Sequence, residues 1–255
     1  TFGFGRPDHF GRMLNSLGSC PEVQARSVDV YHFLDGGPGS EQAALRKVIV
    51  DSEVPFTEIV ARPSNLGVGR QLISARREIF DERGYDRMVL IEDDIELSPT
   101  YLTALLALSD WAETFGDVGT VQVWNVESGT QEQLHPHLGQ VELTNRHFVT
   151  YCITKRVWNS IKDMLYAYEA RYLLNCRYSH RPHYRIRWFM RRLLKKGRTS
   201  PEGDLLNPPV EAVSNPFPSV RWRSTPTSQD AITSLALYLA GLHRLTTRVS
   251  HAHYY

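Results

Sequence analysis

The chain has 255 residues, 42% of them hydrophobic and 22% charged, a globular balance that excludes disordered, fibrous and collagen-like chains. The net charge of +1 conceals an asymmetry: residues 171–198 carry ten Lys or Arg and no acid, which leaves the rest at −9. No apolar run approaches the ~20 residues that span a bilayer, and Cys20, Cys152 and Cys176 sit at unrelated spacings that suggest neither a disulfide framework nor a zinc site.

Residues 1–125 alternate short β-rich runs with amphipathic ones, which predicts stacked βα units on an open, mostly parallel sheet with helices on both faces. Thr1–Gly5 reads as the end of a strand, followed by a helix over 8–17. A strand over 28–34 leads to a helix over 41–50, and a third strand covers 56–61. The helix over 68–82 carries Leu72, Ile73, Ala75, Ile79 and Phe80 on one stripe. A buried strand, 87–91, runs into Glu92, Asp93 and Asp94. Ser98-Pro99 then opens a helix that continues to about Phe115, and 118–124 is a fifth strand. Beyond it, short strands over 140–143 and 148–153 precede a helix over 155–168. A Pro-rich loop with Pro208, Pro209, Pro216 and Pro218 follows the basic segment, and a last helix runs from Thr227-Ser228 through Asp230 to Leu239.

Three adjacent carboxylates at the C-terminal end of a buried strand lie where open α/β sheets bind ligands. Packed like charges repel, so such a cluster calls for a cation. Hard oxygen donors suit Mg²⁺ or Mn²⁺, and those ions suit a diphosphate. A solvated acidic turn capping the following helix is the simpler alternative. Asp35-Gly36-Gly37-Pro38-Gly39 after the second strand offers a close backbone approach and a carboxylate for a base or ribose, or is an ordinary turn. Gly67-Val68-Gly69-Arg70 either sets Arg70 and a helix N-terminus near phosphates or is a flexible cap. Neither a Walker A motif nor a dinucleotide fingerprint is present.

The turn containing Arg6, Asp35 after the second strand, and Glu92-Asp93-Asp94-Ile95-Glu96 before a helix together resemble a GT-A glycosyltransferase. More narrowly, the chain is similar to the N-acetylglucosaminyltransferase I family, which has a Glu-Asp-Asp form of the Asp-X-Asp motif. Val123-Trp124-Asn125 with Gly129, Ser228-Gln229-Asp230 and Val249-Ser250-His251 resemble further segments of that family. The resemblance implies a single GT-A domain over 1–255. Its 1–125 half would bind the nucleotide-sugar, and 126–255, with the basic insert, would face the acceptor. It implies Asp94 on the metal (Mn²⁺ or Mg²⁺), with His251 as a further ligand. Asp93 would hold the ribose and Asp35 the uracil, with Glu92, Val68 and Arg70 also lining the donor. Arg6 and Ser250 would contact the diphosphate, and Asp230 would be the catalytic base. Gln71 stands where the relatives have a histidine, which leaves uridine specificity open.

The implied activity is metal-dependent, inverting transfer from a UDP-linked sugar, UDP-GlcNAc among them, to a hydroxyl of a glycan or lipid-linked acceptor. The alternatives are a sugar-nucleotide pyrophosphorylase and a catalytically inactive glycan- or membrane-binding domain. Residues 184–198 interleave Ile186, Trp188, Phe189, Met190, Leu193 and Leu194 with basic residues, a pattern that suits an interfacial helix on anionic lipid, a lid over the donor, or a solvated loop. No nucleic-acid module surrounds it. A cytoplasmic protein, peripheral on the inner face of the membrane, is the resulting expectation.

Overall fold

The computed structural model describes all residues except 4, 127–130, 146, 147, 214, 216 and 222. Phe4, Gly129 and Pro216 of the sequence reading therefore lie outside the described residues. The strands in chain order are β1 (Phe2–Gly3), β2 (Val30–Leu34), β3 (Phe56–Ala61), β4 (Arg87–Ile91), β5 (Ile95–Leu97), β6 (Val118–Gln122), β7 (Val141–Leu143), β8 (Thr150–Thr154), β9 (His243–Thr247) and β10 (Ala252–Tyr254). The helices are α1 (Pro7–Gly18), α2 (Pro21–Gln24), α3 (Gly39–Asp51), α4 (Gly67–Arg77), α5 (Tyr101–Ala112), α6 (Gln131–Leu134), α7 (Lys155–Tyr172), α8 (His183–Leu194) and α9 (Gln229–Leu239).

Strands β1, β2 and β3 pair in parallel. A five-stranded sheet has the order β4-β8-β6-β9-β7. In it β4, β6 and β9 share one direction, and β8 and β7 run against them. The expected open α/β architecture is what the chain adopts. The sheet is buried on both sides because its strands alternate between two cores. Met88, Leu90, Tyr151 and Ile153 face a cluster built with α4, α7, α8 and α9. Ile91, Cys152 and Val149 face one built with α1 and α5. Helix α1 shows how local chemistry matches this plan. Pro7 at its first turn presets φ, and Phe10, Met13, Leu14 and Leu17 recur at helical spacing and are all buried.

The predicted strands over 56–61 and 87–91 form as expected. The helix expected over 68–82 divides into α4 and a π-helical turn, Glu78–Glu82. Strand β9 was not anticipated, because His243-Arg244-Leu245-Thr246-Thr247 does not alternate; it enters the sheet beside β6. Strands β5 and β10 form an antiparallel pair that folds the chain end back over the carboxylate triplet, with Tyr254 opposite Ile95. Among the described residues no helix is long and apolar enough to cross a membrane.

The basic segment is built into the fold. Ile186, Phe189 and Met190 of α8 are buried in the main core, which corrects the expectation of a lipid-facing apolar stripe. Arg181, Arg187 and Arg191 donate to the carbonyls of Thr227, Thr225 and Val220 at 3.0, 2.9 and 2.9 Å. These are the main-chain acceptors of the loop entering α9, and extended loops leave such carbonyls in need of donors. The positive charges thus tie down the approach to Asp230.

Candidate functional site

The carboxylate triplet sits where β4 leaves the sheet. Glu92 is half-buried, and Asp93 and Asp94 are buried. Arg6, from the turn before α1, reaches both aspartates: Nη1 donates to Asp94 Oδ2 at 3.0 Å and Nη2 pairs with Asp93. Asp94 Oδ1 is buried with no hydrogen-bond partner. Glu92 is pushed well above the usual carboxylate range, first by burial and then by the charges of Asp230, Asp94 and Asp93. Residues 138 positions apart in sequence, Glu92 after β4 and Asp230 in the first turn of α9, thus lie close enough for their charges to interact.

A cavity of about 340 Å³ opens beside the triplet, lined by Arg6, Asp35, Val68, Gln71, Glu92 and Asp93 among others. Six positions singled out by sequence, on four separate stretches of chain, therefore border one space. A wider cavity of about 750 Å³ is bordered by Phe148, Arg221, Ser228, Asp230 and Tyr254. Tyr254 links the two regions, for its phenol is pushed up by the charge of Asp94, then by burial and by Glu92.

Asp35 borders the smaller cavity, but its carboxylate is engaged. Oδ1 accepts N–H groups of Gly36 (2.9 Å) and Leu66 (2.7 Å), and Oδ2 accepts Gly67 N–H (2.9 Å). It thereby caps the entry to α4, where the Leu66 and Gly67 N–H groups already have an acceptor. The glycines around it serve chain packing. A Cβ on Gly36 would lie 2.2 Å from the Ser64 carbonyl carbon, and one on Gly69 would lie 2.3 Å from the Tyr178 ring. The Gly67-Val68-Gly69 motif thus makes room for an aromatic ring from the segment between α7 and α8. Arg70 does not line the smaller cavity, and its Nε is buried without a partner.

Ser250 and His251 make local contacts at the start of β10. Ser250 Oγ donates to Ala252 O at 2.7 Å, closing a local turn. His251 Nδ1 lies 3.3 Å from Thr100 Oγ1, and the β5–β10 register sets Tyr254 and Tyr255, not His251, beside Asp94. Among the described residues no three His, Cys, Asp or Glu side chains close into an ion site on their own.

Asp230 occupies the first turn of α9, just after Ser228, whose Oγ accepts Ala231 N–H at 3.2 Å as the N-cap. Burial raises the Asp230 carboxyl, and the cations Arg76 and Arg244 oppose that rise. Both arginines escaped the sequence reading: Arg76 looks like one of a surface run in Ala75-Arg76-Arg77-Glu78, yet it is completely buried. Tyr178 and Tyr254 were missed as well, since neither carries a local motif. The segment Val123-Trp124-Asn125 lies near by, with Asn125 Nδ2 bonded to Glu142 Oε1 at 2.9 Å and the Trp124 ring 6.1 Å from that of Tyr254.

No family model and no curated protein matches this chain. Among solved structures it is similar to S. aureus TarS residues 1–349, with 12% identity and a TM-score of 0.47 over 76% of this chain and 64% of that one. A mycobacterial protein gives 16% identity and a TM-score of 0.41 over 67% of this chain and 60% of its own. A Desulfovibrio desulfuricans G20 protein described as a nucleotide-diphospho-sugar transferase gives 17% and 0.38, over 64% and 65%. The chain spans less than two thirds of the length of each, and similarity at this level carries no argument about activity.

Proposed function

We propose that the chain is a metal-dependent, inverting glycosyltransferase that moves a sugar from a nucleoside-diphosphate donor, UDP-linked in this reading, to a hydroxyl of a glycan or lipid-linked acceptor. The observation that carries the proposal is that Glu92 and Asp93 border a cavity of about 340 Å³ while Asp230, close enough for its charge to act on Glu92, borders the wider cavity. Asp94 Oδ1, buried and without a partner, fits a hard cation such as Mn²⁺ or Mg²⁺, which commonly takes one or two carboxylates and completes its shell with substrate phosphates. Asp94, with Asp93 beside it, would hold that ion. When bound, it supplies positive charge for a departing diphosphate.

The chain's own groups supply the remainder. Arg6 brings a second cation to the triplet and would stabilise negative charge on the leaving phosphates. Asp230, half-buried and bordering the wider cavity, would take the proton of the acceptor hydroxyl as a general base. One base and no covalent intermediate gives direct displacement with inversion. Gln71 and Asp35 line the space for the base and sugar of the nucleotide. The basic segment holds the loop that leads to Asp230. His251 and Ser250 have no part in this reading.

The test is a panel of nucleotide-sugars with Mn²⁺, scored by release of the nucleoside diphosphate from the wild type and from Asp94→Asn. The variant is expected to keep its thermal midpoint and to lose both turnover and divalent-dependent nucleotide binding. Unchanged turnover in Asp94→Asn would overturn the proposal.

A further inference from the structure

Beneath Asp230 lies a guanidinium that the reaction as described does not use. Arg76 of α4 is fully buried, yet no carboxylate lies within ion-pair distance of it among the described residues. Its Nη2 donates to Tyr151 Oη at 2.5 Å and to Gln229 Oε1 at 3.1 Å, while Nε and Nη1 have no partner. Gln229, buried at 1% exposure, in turn donates from Nε2 to Asp230 Oδ1. Burying a charge that cannot be neutralised costs several kcal/mol unless something nearby compensates. The nearest compensation runs through Gln229.

We infer that Arg76 and Gln229 form a hydrogen-bond relay that positions the Asp230 carboxylate and keeps it ionised for proton abstraction. The direction of the relay is forced. Arginine has donors only, so Gln229 must turn its carbonyl oxygen toward Arg76, which leaves its NH₂ group for Asp230. Thr233 Oγ1 donates to the Gln229 main-chain carbonyl at 2.8 Å, which anchors the residue from the next turn of the helix. The Gln229 main-chain N–H donates to Tyr178 Oη at 3.0 Å, so the residue is held at both ends. With Oδ1 occupied, Oδ2 is the oxygen of Asp230 that no other side chain engages among the described residues, and Asp230 borders the cavity of about 750 Å³. The charged and titratable groups facing Asp230 are Arg76 from α4, Arg244 from β9, Glu92 after β4, Tyr151 from β8, Tyr168 from α7 and Tyr178.

The relay rests on the reading of Asp230 as the base, and the two are tested separately. Asp230→Asn with full turnover would overturn the base itself. The relay is tested by the Asp230 carboxyl signal, isolated in ¹³C NMR as the difference between wild type and Asp230→Asn and titrated in wild type and in Gln229→Glu. The carboxylate of that variant still offers Arg76 an acceptor, so folding is preserved, but it has no N–H for Asp230. The Asp230 midpoint is expected to rise by about one pH unit or more, from the lost charge-assisted hydrogen bond together with repulsion by the new carboxylate. The acid limb of kcat/KM should move up with it, while donor KM stays within about twofold. Gln229→Met, which removes the amide and keeps the volume, should shift the midpoint in the same direction. An unchanged Asp230 midpoint in Gln229→Met, which adds no charge, would overturn the relay, whatever the activity of either variant.

Discussion

Asp35 offers a sharp contrast between holding the fold and touching a ligand. Its carboxylate accepts three main-chain N–H groups, from Gly36, Leu66 and Gly67. In Asp35→Asn one oxygen becomes an NH₂ group, which cannot accept and which faces an N–H donor. Hydrogen bonds to a charged acceptor contribute about 1.5–3 kcal/mol each, and a buried donor left unsatisfied costs about 1–3 kcal/mol. Losing one bond outright and weakening two others gives a destabilisation of about 3 kcal/mol or more. For a chain of this size each kcal/mol moves the midpoint by about 2–4 °C, so a fall of about 6–12 °C is expected without any ligand. Differential scanning fluorimetry of the free protein measures it, and UDP titration of the same variant reports binding separately. If Asp35 served chiefly to contact the base, affinity would fall while the free midpoint stayed put. A free Asp35→Asn protein melting with the wild type would refute the reasoning.

Asp230→Asn should lower kcat by about 10²–10⁴-fold with donor binding preserved, as for loss of a general base; a near-normal kcat measured with donor in excess would count against it. Gly69→Ala should destabilise the fold, because its Cβ would lie 2.3 Å from the Tyr178 ring; a midpoint equal to wild type would show that the ring moves away freely. Arg191→Gln should lower the midpoint by a few degrees through loss of its bonds to Val220 O, whereas Lys195→Gln and Lys196→Gln, on exposed side chains with no such bond, should leave it unchanged. His32 is fully buried, and burial lowers its pKa to about 3. The unfolded chain therefore takes up a proton below about pH 6.5 that the folded chain refuses, so stability falls as pH drops, by up to about 1.4 kcal/mol per unit. Denaturant unfolding at pH 7 and pH 5 should show that loss, and His32→Gln should reduce it.

Much of the fold could be read locally. Strands 56–61 and 87–91 and the helix opened by Pro7 follow from β-rich runs, periodicity and a proline preset, signals that need only neighbouring residues. The triplet Glu92-Asp93-Asp94 was legible for the same reason: three acids ending an apolar strand form an anomaly within a single short stretch. Roles that depend on a distant partner were not. Asp35 reads by sequence as a ligand contact or an ordinary turn, and its bonds to Leu66 and Gly67 show only in the fold. Gly67 and Gly69 read as a phosphate loop or a flexible cap, and the Tyr178 ring against them comes from a distant segment. The basic segment suits a lipid surface, a lid or a loop by pattern alone, and its burial of Ile186 and Met190 shows only in the packed fold. Arg76 and Gln229, 153 positions apart, carry no local sign of their pairing. Sequence alone determined which elements form and where the acids gather, because backbone propensity and side-chain periodicity act over a turn or a strand. Only the tertiary structure decided which charges are buried, which glycines make room for which ring, and which oxygen of Asp230 Gln229 occupies, because burial and hydrogen bonding depend on chain segments that meet only when the sheet and its two cores have closed.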